Sequence, residues 1–136
     1  MGKQLKNEKP IIFQIDAGTY DYAINVIITD DFDYTAEFVN HKFEYKDRKI
    51  TQANFDMRKG ICFFRDGYCP IIWLPRIPDK AVDLATLSHE IFHAVCHCMS
   101  WAGMYLNDSS EEAYCHLIGH ITRKFWNKIF KLNSKK

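Results

Sequence analysis

The apolar residues of this chain change their period once, at Pro75 and Pro78, and that change decides which class of fold they can build. Before the prolines the apolar runs are short and β-rich: Ile11 to Ile15, Ala23 to Thr29, Ile61 to Phe64 and Ile71 to Leu74. Gly18, Asp30-Asp31, Gly60 and Asp66-Gly67 punctuate them as turn residues do. One amphipathic helix is predicted among them, at about Asp33 to His41, where Phe32, Ala36 and Val39 recur at helical spacing. After the prolines, one helix is predicted from about Lys80 to Trp101, with Asp79 to cap its start and Gly103 to end it. Another runs from about Ser109 to Leu132, with Ala113, Leu117, Ile118, Ile121, Phe125 and Ile129 on its core face. The link from Gly103 to Asp108 is too short to separate the two helices, so they pack as neighbours. The expected class is α+β, a small and mostly antiparallel sheet with both long helices against it.

At 136 residues the chain suits one domain spanning 1–136, with polar tails at 1–10 and 133–136. Its hydrophobic content of 47% excludes a disordered chain, and a net charge of +1 argues against nucleic acid as a partner. Lys128, Lys131, Lys135 and Lys136 gather at the C-terminus, where they complement a helix dipole. The polar start lacks the apolar core of a signal peptide, and no run approaches a membrane span. With five cysteines and no CxxC pair, reduced thiols in a cytoplasm are expected rather than secretion.

The first long helix has an unusual wheel. Asp83, Thr86, His89, Glu90, His93, His97 and Ser100 share an arc of about 120°, and apolar residues cover most of the rest. So apolar a helix is expected to be buried, and its polar arc then needs partners or an ion. Within that arc His89-Glu90-Ile91-Phe92-His93 is an HExxH pattern, expected by chance about 0.01 times in a chain of this composition. Histidines four apart reach one ion from successive turns, and the glutamate between them can touch a water there without binding the metal. Zn2+ is the expected cofactor, with His89 and His93 as ligands.

A catalytic zinc takes three protein ligands, and the following helix offers Glu111, Glu112, His116 and His120. The set His89, Glu90 and His93, followed eighteen residues later by Glu112 and Ala113, resembles the gluzincin metallopeptidases. It resembles more closely the compact one-domain minigluzincins and small phage-encoded HExxH proteins with an HExFH helix and a Glu-Glu-Ala-Tyr stretch, as at Glu111 to Tyr114. The resemblance spans about a quarter of the chain. It implies a zincin-like fold and a zinc peptidase in which Glu112 completes the ligand set, with Glu111 and His116 as alternatives. It also implies a cytoplasmic setting in the host of a phage, with a peptide or protein substrate. Where the clan often has an aspartate four residues after the ligand glutamate, this chain has His116.

The residues carry competing expectations. Ser109 with Glu112, and Asp108 with Glu111, both fit a capping box. His97 has drifted away from the ion and reads as a hydrogen-bonded histidine of core or cleft; His120 reads as a satisfied polar residue at a solvent edge. Trp101, Trp126 and the phenylalanines read as core. In catalysis Glu90 would be the general base, with His116 or Tyr114 as donor to the oxyanion. By the same resemblance Ile71 to Leu74 would be the edge strand that aligns a peptide; an interior strand with Trp73 in the core is the competing reading. The alternative function is a catalytically silent, zinc-stabilised binding protein with a virion or host partner.

Overall fold

The structure, a computed structural model, describes residues 8–47, 49–55 and 58–134. Residues 1–7 and 135–136 of the predicted tails, with Lys135 and Lys136, lie outside that range. Among the described residues the chain forms β1 (Ile11–Asp16), β2 (Ala23–Ile28), α1 (Phe32–Lys42), a 3-10 turn (Gln52–Phe55), β3 (Ile61–Phe63), β4 (Ile71–Leu74), α2 (Ala81–Trp101) and α3 (Glu111–Ser134). Asn133 and Ser134 continue α3 rather than starting a tail.

The four strands form one sheet in the order β1-β2-β4-β3. β1 pairs with β2 and β3 with β4 antiparallel, whereas β2 and β4 run parallel, from Asn25 beside Ile71 to Ile28 beside Leu74. The α+β expectation is met, with a mixed sheet. Side chains alternate across the two central strands. Ile24, Val26, Ile28, Ile72 and Leu74 enter a core shared with α2 and α3. Ile27, Ile71 and Trp73 enter a second core on the other face, with Ala36, Val39, Phe43 and Phe55. Burial on both faces explains the unbroken apolar run of β4. It also makes β4 interior, so the edge-strand expectation for Ile71 to Leu74 is corrected: Trp73 is fully buried, its Nε1 donates to the Thr29 carbonyl at 2.8 Å, and β3 forms the edge.

Helix α2 buries one face only. Leu87, Ile91, Ala94, Val95 and Cys98 pack with Leu117, Ile121 and Phe125 of α3, while Val82, Leu84 and Phe92 stay exposed. The expectation of a buried helix is therefore corrected for the face that carries Val82, Leu84 and Phe92, because the sheet and α3 both pack on the opposite face. The end of α2 is as expected from Gly103. That residue adopts φ +77, donates to Ser100 at 3.0 Å, and lets Met104 donate to Met99 at 2.8 Å, closing the last carbonyls in a Schellman turn. At the start, Lys80 occupies the cap position and no side chain caps it, so Asp79 does not take the expected role.

Candidate metal centre

The helical repeat brings His89 and His93 together. Their Nε2 atoms lie 3.1 Å apart, with ring centroids at 4.7 Å and planes inclined by 74°. Two nitrogen ligands at about 2.0–2.1 Å from a tetrahedral ion stand about 3.3–3.4 Å apart, so the pair fits two corners of a zinc site with almost no rearrangement. Without an ion one ring donates to the other, since imidazole nitrogens can take either role. Both rings face outward; the His89 side chain is 67% exposed.

Glu90 is buried beside the pair. Its side chain is 9% exposed, with Oε1 at 3.9 Å from His89 Nε2. It faces β3, where burial first and then the Glu90 charge push the Cys62 thiol well above its ordinary value. A buried glutamate is uncommon unless something nearby uses it. α2 thus carries two exposed nitrogen donors, His89 and His93, and one buried carboxylate, Glu90, close enough to Cys62 of the edge strand β3 for its charge to act there.

The second helix does not bring its acid to the pair. Glu112 and His116 interact with each other, His116 Nε2 to Glu112 Oε1 at 3.2 Å, and both are exposed. Among the described residues, no group of three or more His, Cys, Asp or Glu side chains is placed to hold a metal ion. Two donors of the expected set therefore fit zinc, and the three-residue set of His89, His93 and Glu112 is not assembled; Glu111 is likewise exposed at the start of α3. Nor does a capping box engage Glu112. Asn107 Oδ1 accepts from the amides of Ser109 and Ser110 at 2.9 and 3.1 Å, and Ser110 Oγ accepts from the Asn107 amide at 3.0 Å, so the turn before α3 closes on Asn107. An asparagine two residues before a serine pair was a readable signal for this turn.

The other candidates settle into structural places. Tyr114 is buried, and its hydroxyl donates to the Met104 carbonyl at 2.7 Å. His120 Nε2 donates to the Asp16 carbonyl at 2.9 Å. His97 is hydrogen-bonded as expected, Nε2 to the Tyr68 carbonyl at 3.4 Å, and lies between Phe64 and Tyr22 with centroid distances of 5.4 and 6.1 Å. The assignment of every phenylalanine and of Trp101 to the core is corrected: Phe64 is 59% exposed, beside His97, and Trp101 is 61% exposed, beside Tyr22. Trp101 ends a helix and Phe64 follows an edge strand, where residue type alone does not predict burial. The five cysteines are free thiols; burial pushes Cys98 up to about 12. Among the described residues no helix is long and apolar enough to cross a membrane. Compared with protein-family models, characterised proteins and solved structures, the chain matches none.

Proposed function

We propose that this chain is a zinc-dependent peptidase centred on the His89–Glu90–His93 turn of α2. The observation that carries the reading is the 3.1 Å approach of the two Nε2 atoms, a spacing that suits one tetrahedral ion. Zinc bound there would supply Lewis acidity to a carbonyl and to water. Glu90 is the general base: it takes a proton from the attacking water and returns it to the leaving amine. Its burial beside β3 restricts the carboxylate to the neighbourhood of His89. β3 offers its unpaired edge to an extended peptide, and Ile61 to Phe63 can pair with a substrate backbone. Glu112 is the candidate third donor, with Glu111 and His116 as alternatives, and His116 the candidate electrophile if Glu112 binds.

A specific observation also favours the silent alternative. Glu112 is engaged with His116 instead of the histidine pair, which suits a chain that binds zinc for stability or assembly. Elemental analysis and a peptide-library digest separate the two readings. The peptidase reading expects zinc in the purified protein, and Glu90→Gln keeps that zinc while cleavage falls by about 10²–10⁴. A wild-type protein that carries zinc and cleaves nothing sinks it.

A further inference from the structure

The exposed histidine pair is half of a coordination sphere. Tetrahedral zinc takes four donors, and His89 and His93 supply two at a suitable separation. Among the described residues the chain's own acids, thiols and histidines do not complete a set around them. Exposed apolar side chains flank the pair on one side. Val82 stands about 20° round the helix from His89 and Phe92 about 60°, and they are 43% and 41% exposed. The exposed Ala85 lies about 40° away on the same strip. An exposed apolar strip flanking two aligned imidazoles suits a partner that brings nitrogen donors and apolar side chains together.

We propose that this partner is a second copy of the chain, and that one zinc ion bridges two α2 helices through His89 and His93 of each. A two-fold axis through the ion makes the contact isologous, so each pair meets its own equivalent and four nitrogens close the tetrahedron. Val82 and Phe92 of the two copies are buried against one another around the ion. The proposal rests only on zinc binding at the pair, not on catalysis. A zinc held by four imidazoles keeps no open position, so the bridged dimer is a closed, non-hydrolytic form. If the monomer is a peptidase, its activity per chain falls as concentration favours the dimer.

The test is the mass of the full chain in solution, by sedimentation or light scattering, as zinc alone is added to metal-free protein. The mass is expected to double from 16.0 kDa, with the titration breaking at about half an equivalent of zinc per chain, and to revert with chelator. His93→Ala is expected to remain monomeric with zinc; because the ring is exposed, its circular dichroism should match wild type. Phe92→Lys keeps both donors and is expected to weaken the zinc-dependent dimer at least tenfold. One zinc per chain at monomer mass across the concentration range overturns the proposal, as does a dimer that persists in His93→Ala. A monomer with one zinc that cleaves peptide overturns the bridge and leaves the peptidase standing. A half-equivalent dimer without cleavage supports the bridge while the peptidase falls.

Discussion

Asp83, in the first turn of α2, accepts from Arg76 through two bonds, Nε at 3.2 Å and Nη2 at 2.9 Å. Arg76 chiefly holds the Asp83 carboxyl below the ordinary carboxylate range, and the helix N-terminus favours the same charge. A carboxyl whose folded value is depressed stabilises the fold above its unfolded value of about 3.9 and loses that contribution as pH falls through the folded value. Asp83→Asn is therefore expected to lower the urea midpoint at pH 7, with the gap to wild type narrowing by pH 3. A gap of equal size at both values would show that the ion pair is not its source. Single residues were unevenly legible in the sequence. The four-residue spacing told which imidazoles meet, because a helix dictates it. It could not tell that Glu90 is buried while His89 and His93 are exposed, since that depends on where β3 lies relative to α2.

At the scale of elements, α2 and β3 are held together at a point where no side chain fits. A Cβ on Gly60 would stand 2.7 Å from Thr86 Cγ2 and 3.2 Å from Leu74 Cδ2, and Thr86 is anchored by its hydroxyl bond to the Val82 carbonyl at 3.0 Å. Gly60→Ala is expected to cost about 1–3 kcal/mol by overpacking, read as a lower midpoint in chemical unfolding. Because the same contact sets β3 against Glu90, peptide cleavage should fall with it, if the chain is a peptidase. A neutral effect on stability would mean that Thr86 yields freely. The elements themselves were largely readable: β4 lies at Ile71–Leu74 as the run of apolar residues predicts, and α1, α2 and α3 start and stop within a few residues of expectation. Sheet order was not readable. An unbroken apolar strand indicates two covered faces, but resemblance alone had suggested an edge there, and the three-residue β3 left too weak a pattern to compete.

For the whole molecule, zinc is expected to stabilise the native state, because the unfolded chain does not hold His89 and His93 3.1 Å apart. At one hundred times the dissociation constant the gain is about 2.7 kcal/mol, a rise in Tm on the order of 10 °C that chelator reverses and His89→Ala abolishes. An unchanged Tm in saturating zinc would remove the metal from the account. The parallel pairing of Asn25–Ile28 with Ile71–Leu74 has a consequence in time. It joins segments more than forty residues apart in sequence, whereas the β1-β2 pair and the α2-α3 pair are each neighbours along the chain. Distant contacts close later than local ones during folding, since more chain must be ordered first. The imidazole pair needs only helix α2, but the burial of Glu90 waits for β3 to join β4 and for the sheet to close. By this ordering the two imidazoles meet before Glu90 is buried beside them.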